Sequence, residues 1–265
     1  MARVIAHVVF ALLYVSFALA QETPVAAPTI LKDPQAIAVV QKTIAAMGGP
    51  QALLTYQDSQ ASGSLTIYGG AMPIKYPITL KTKGTQETRA EVGMVKGTNV
   101  RILNHGQAII QKADGWIMKL SESNTLNERV NHIPLLSILS QYQDSNVNVQ
   151  YQQTTQLGSQ ECDVLAVGSL SPIASAQTMF FVNRVTGLVR KIQYTETAEN
   201  DASNTQNVEV YFDDYRSVDG ISVPFHHIFY TDGNIDSEII LSSLSFNVGL
   251  SDDEFALPAG GASVQ

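Results

Sequence analysis

Cysteine occurs once in the 265 residues, at Cys162. No intrachain disulfide can form, even in an oxidising compartment, so stability must come from the core. Cations are also scarce: 16 Lys and Arg stand against 24 Asp and Glu, for a formal charge of −8. Binding a nucleic acid needs clustered Lys and Arg, so the balance argues against a polyanion partner. The usual catalytic signatures are missing. There is no Gly-x-Ser-x-Gly elbow, no His-Glu-x-x-His helix, no Cys-x-x-Cys pair and no glycine loop for phosphate. Beyond the first twenty residues, no segment is long and apolar enough to cross a bilayer.

Those first residues have a pattern of their own. Met1-Ala2-Arg3 supplies one positive charge, and an apolar run follows through Val8–Val15. It closes at Ala18-Leu19-Ala20, the small-x-small ending that signal peptidase accepts. The run is shorter than the roughly 20 apolar residues of a membrane span. Residues 1–20 therefore read as an export signal, cut between Ala20 and Gln21. Lipid anchoring would need Cys after the cut, and Gln21 stands there. The mature chain is thus expected to be free in solution outside the cytoplasm, periplasmic or secreted. Residues 21–32 read as a loose leader, 33–258 as one domain and 259–265 as a flexible tail.

Asp33 is a good N-cap and Pro34 suits a first helical turn. Ile37, Val40, Ile44 and Met47 recur at spacings of three and four, which predicts a helix over 34–47 closed by Gly48-Gly49-Pro50. A shorter helical piece is expected around Gln51–Leu54.

From Gln57 the periodicity changes to two. Ile74, Tyr76, Ile78 and Leu80 alternate with Lys75, Pro77, Thr79 and Lys81. Turn signals at Asn104-His105-Gly106, Ala113-Asp114-Gly115, Val185-Thr186-Gly187, Asp219-Gly220 and Asp232-Gly233 separate runs of this kind. About ten or eleven antiparallel strands follow. Pro77 cannot donate a ladder bond, which predicts an edge strand or a bulge. In Thr178-Met179-Phe180-Phe181-Val182 both faces are large, so the sheet must be covered on both sides or curl round an apolar interior.

One stretch, His132–Tyr142, is short and apolar nearly all round. It reads as a helix that plugs the sheet or as a lid over a greasy cavity. The histidine pair His226-His227 sits on a strand, where neighbours point to opposite faces, so the two rings cannot share a metal. Asp252-Asp253-Glu254 reads as a solvated acidic turn, and Cys162 as a packing residue. No metal site and no cofactor are expected.

Two stretches carry a family resemblance. One is Lys83-Gly84-Thr85-Gln86-Glu87-Thr88-Arg89-Ala90-Glu91 with Ile102-Leu103-Asn104-His105-Gly106-Gln107. The other is Tyr215-Arg216-Ser217-Val218-Asp219-Gly220-Ile221-Ser222-Val223-Pro224 with Asp232-Gly233 and the ending Asn247 to Pro258. With the leading helix and the greasy mid-chain segment, this order resembles the LolA-like superfamily of periplasmic lipoprotein carriers. The resemblance implies a mainly β fold with few helices (α+β). A large curved antiparallel sheet, an incomplete β-barrel, would carry an N-terminal helix and a short lid-like helix. It also implies that Arg89 stands where the carriers have a lid-holding arginine. The chain is longer than those carriers, with an extended second half.

The expected function is non-catalytic carriage or sensing of a hydrophobic ligand, a lipid or the acyl chain of a lipidated protein. Trp116, Met118, Leu135, Leu136, Leu139, Phe180 and Phe212 are the expected lining of cavity and lid, each with plain core as its other reading. The alternative is an envelope interaction or scaffold module with a filled core. A hydrolase using His226 or His227 is the third reading.

Overall fold

The computed structural model describes residues 32–128, 133, 135, 139–169, 177–198 and 201–258. The expected signal, most of the leader and the tail lie outside the described residues. So do His132, Pro134, Leu136 and Ile138 of the expected short helix.

Helix α1 (Pro34–Ala46) begins as its sequence dictates: the Asp33 carboxylate accepts the Gln35 N–H at 2.8 Å. Its buried face is Ala36, Val39, Val40, Thr43 and Ile44. Gly48, at φ 132°, turns the chain into α2 (Gly49–Thr55). A side chain on Gly48 would meet the Gly220 carbonyl oxygen at 2.7 Å, so glycine is required there for contact as well as conformation.

Among the described residues, thirteen strands form a single antiparallel sheet. In chain order they are β1 (Asp58–Ile67), β2 (Ile74–Lys83), β3 (Glu87–Met94), β4 (Gly97–Asn104), β5 (Gln107–Gln111), β6 (Ile117–Lys119), β7 (Val147–Leu157), β8 (Gln160–Ser169), β9 (Gln177–Asn183), β10 (Val189–Ala198), β11 (Asp201–Val218), β12 (Ile221–Thr231) and β13 (Asn234–Phe246). The turn signals fall where expected, with His105, Asp219 and Asp232 at positive φ before Gly106, Gly220 and Gly233. The count exceeds ten or eleven because strands as short as β6 leave little alternation to detect.

Pro77 is not at an edge. Strand β2 lies between β1 and β3. Pairing with β3 begins only at Ile78, opposite Val92, so the missing N–H breaks no described rung of that ladder. The Pro77 ring sits beside Gly93, where any Cβ would lie 2.9 Å from its Cγ.

The strand order places β6 at one edge and β7 at the other, with β1 beside β13 in the middle. Strands β6 and β7 are nonetheless consecutive in sequence. The crossover 120–146 must therefore pass from one edge of the sheet to the other. It carries α3 (Glu122–Asn127) and a 3-10 turn, Ser140–Gln143. Ile133, Leu135 and Leu139 of the crossover are buried in the main core with α1 and with Phe180, Phe212, Phe225 and Leu244. The Ile133 carbonyl accepts from Ser59 Oγ and Thr82 Oγ1, each at 2.8 Å, and from Tyr56 OH at 3.3 Å. Burial pushes the Tyr56 phenol up to about 12, which keeps it a donor.

The other face of the sheet is covered at β4 and β5 by the C-terminal segment. Leu257 packs against Val100, Ile102 and Ile109. Asp58 anchors this segment: its Oδ1 accepts Val248 N–H at 2.7 Å, and its Oδ2 accepts Gly249 and Leu250 N–H at 3.1 and 3.0 Å.

Candidate ligand-binding cavity

Alternation along each strand sends one set of side chains to the concave face. Two ends of that face differ. Toward Lys83, Ile221 and Phe246 it is filled by α1 and the crossover; the Ser222 N–H donates to the Met47 carbonyl at 2.9 Å, and Tyr56 meets Phe246 edge-on at 5.7 Å. Toward the β12–β13 hairpin it is hollow, with a cavity of about 530 Å³.

Leu65 of β1, Ile78 and Leu80 of β2, Val208 of β11, Phe229 of β12 and Ile239 of β13 form its apolar wall. Tyr194 joins them, and burial raises its phenol pKa, so the ring stays neutral. Toward the hairpin tips the lining turns polar, with Glu196, Gln206, Thr231 and Asp236. Arg101, Asn127 and Glu128 add polar groups on the α3 side, so about half of the lining is polar or charged, and the volume lies within the roughly 300–1,000 Å³ of small-molecule sites.

Helix α3 closes one side. Beyond Gln193, β10 has no described partner in β9, and α3 supplies one. Asn124 Nδ2 donates to the Thr197 carbonyl at 2.7 Å, and the Thr197 N–H donates back to Asn124 Oδ1 at 2.9 Å. Asn127 Nδ2 donates to the Thr195 carbonyl at 2.9 Å. Both amides act as substitute strand backbone. Arg101 of β4 donates to the buried Glu128 at 2.9 Å and completes the strap. Asn124→Ala should lower stability by about 1–2 kcal/mol, since the Thr197 N–H and C=O both lose their partner. Amide exchange at Thr197 should speed up with it; unchanged exchange would show that the strap does not depend on this pair.

No protein-family model and no curated relative matches the chain. Solved structures do. An outer membrane lipoprotein-sorting protein domain from Vibrio parahaemolyticus superposes with a TM-score of 0.56 at 11% identity, over 83% of this chain and 95% of that one. A LolA superfamily protein from Nitrosomonas europaea gives 0.58 at 12%, over 84% and 97%. A DUF1329 family protein from Desulfovibrio piger gives 0.57 at 14%, over 85% and 98%.

The fold is LolA-like.

Within this LolA-like sheet the residues singled out from sequence are scattered. Phe180, Phe212, Leu135 and Leu139 are packed together in the filled end, not along the cavity. Leu136 lies outside the described residues. Met118 packs with Leu103, Ala108, Ile110 and Leu120 near the β6 edge. Trp116 precedes β6 and is 40% exposed. Arg89 projects from the other face of the sheet. Its described contacts are Glu91 and, at 3.1 Å, the Glu254 carbonyl of the C-terminal turn, so it holds that segment rather than the strap over the cavity. Sequence reasoning missed the cavity wall, although Ile78 and Leu80 belong to the clearest alternation in the chain. It also missed α3, whose signal is Ser121: its Oγ accepts the Asn124 N–H at 3.2 Å.

His226 and His227 point to opposite faces as expected. His226 Nε2 lies 2.6 Å from Glu238 Oε1, and Tyr68 OH donates to Glu238 Oε2 at 2.9 Å. Burial opposes the Glu238 charge, but these two bonds outweigh it and hold its pKa below the usual carboxylate range. His227 is buried, donates to the Pro224 carbonyl at 3.1 Å and meets Phe212 edge-on at 5.1 Å. Among the described residues no three His, Cys, Asp or Glu side chains gather to hold a metal. No helix among them is long and apolar enough to cross a membrane.

Proposed function

We propose that the chain is an exported, non-catalytic carrier that takes the acyl chain of a lipid, or of a lipidated protein, into the hollow end of the sheet. The apolar wall from Leu65 to Ile239 is the observation that carries this reading. The LolA-like fold supports it, as does the lipoprotein-sorting name of one similar structure. The signal-peptide pattern of residues 1–20 supports export. A chain of a dozen methylenes brings on the order of 10 kcal/mol of gross driving force at about 0.8 kcal/mol each. Ordering and association costs reduce that to a usable affinity.

Protein isolated from its own envelope should carry lipid in a native mass spectrum. Ala90 faces the cavity from β3. Ala90→Trp should fill the space and weaken fatty-acid binding at least about tenfold, a loss of roughly 1.4 kcal/mol, with little change in melting temperature. A clean apo mass, with no fatty-acid binding to the unaltered chain, would leave the scaffold reading in its place.

A further inference from the structure

Most large apolar side chains that remain exposed are gathered at one end of the molecule. Of eight among the described residues, five lie at the hollow end: Met72, Ile74, Val95, Trp116 and Ile235. Met72 is 75% exposed and Val95 94%. Four of them occupy three neighbouring tips. Ile67 pairs with Ile74 at the mouth of the β1–β2 hairpin, and Met94 with Gly97 at the β3–β4 hairpin. Any Cβ on Gly97 would lie 3.3 Å from Ala113, which brings the β5–β6 turn alongside. A shallow concavity of about 430 Å³ joins the tips, lined by Tyr76, Met94, Val95, Lys96, Asn99 and Lys112.

The charge of these tips runs against that of the chain. Lys75, Lys96 and Lys112 stand among the apolar side chains of these three tips, and Asp114 is the one carboxylate in residues 68–76, 94–97 and 112–117. The β12–β13 tip beside them, which carries Ile235, is acidic through Asp232 and Asp236 and lies outside the basic patch. The whole chain carries −8. Protruding apolar side chains ringed by lysines, with a tryptophan beside them, fit the interface of an anionic bilayer. The β2 residues Ile74, Tyr76, Ile78 and Leu80 share one strand face, which runs as an apolar strip from these tips to the cavity wall.

We propose that these hairpin tips dock on an anionic lipid surface and set the open end of the sheet against it. The proposal rests on the tips and not on the carrier reading, though the two fit one another. Trp116 is the only tryptophan and so reports on the contact. With vesicles containing phosphatidylglycerol its emission should shift to the blue and be quenched by brominated acyl chains, and binding should weaken as salt is raised. Val95→Asp and Met72→Asp, at positions too exposed to disturb the core, should each lower vesicle partitioning at least about tenfold. Fatty-acid binding measured without vesicles should be unchanged in both.

No co-sedimentation and an unmoved Trp116 spectrum would overturn the proposal. So would equal binding to pure phosphatidylcholine, or wild-type binding by both variants. A dimer that Val95→Asp dissolves, without vesicle binding, would overturn it in favour of contact between two copies. Vesicle binding without fatty-acid binding would sink the carrier reading and leave this one standing.

Discussion

Phe212→Ala should lower the unfolding free energy by about 3–5 kcal/mol, read as a shift of the urea midpoint at unchanged slope. Phe212 is among the largest fully buried side chains, set between strands in the filled end of the sheet. Its removal loses both the transfer energy of the ring and the contacts of His227, which lies edge-on to it. Leu139→Ala should follow at about 2–5 kcal/mol, because Leu139 is sealed in the same core. Phe229 lines the cavity and is only partly buried against that core, so Phe229→Ala should cost less stability and more ligand. If Leu139→Ala changed stability by less than about 1 kcal/mol while abolishing ligand binding, this part of the crossover would be a mobile lid and not a plug.

Acidification should weaken the fold well before the carboxylates titrate. Burial drives the His227 pKa down to about 4 from 6.5, against the bond to Pro224. Between these values the unfolded chain binds a proton that the folded one refuses, so stability falls as pH drops from 6.5 toward 4. The full loss is about 3 kcal/mol at about 1.4 kcal/mol per pH unit. Asp213 and Glu238 have folded pKa values below their ordinary ones, so their contributions disappear only at lower pH. Guanidinium midpoints at pH 7.5 and 5 should therefore differ, and His227→Phe should flatten that interval. A midpoint constant from pH 7.5 to 4.5 would show that the imidazole reaches water or a counter-charge.

Much of the architecture was legible in the sequence because it depends on local chemistry. Asp33-Pro34 starts α1, the Asp-Gly and His-Gly pairs make the hairpins, and apolar residues on both faces of β9 require cover on both sides or a sheet curled round an apolar interior. Phe181 indeed lies under the Lys191 ammonium, 4.1 Å from the ring centroid, while Phe180 faces the core. The cavity was less legible. The largest side chains, such as Phe180 and Phe212, mark where the interior is full. An unfilled wall is built from ordinary residues such as Ile78, Leu80 and Val208, whose only distinction is what fails to pack against them. That is decided by where the crossover stops, which no local pattern encodes. Arg89 shows the same limit from the other side. The alternation that puts Ala90 on the cavity obliges Arg89 to face away from it.

The seam between β1 and β13 bears on the order of events during synthesis. The first and last strands are partners, so β1 emerges with β2 alone beside it and its other edge waits until residue 246 is made. Each half can grow hairpin by hairpin, but joining them is a long-range closure, the kind that makes β-rich chains slow to fold. Through that interval the molecule offers two naked strand edges to any neighbour, and swapping of one half between two chains is the error to which this topology is most open.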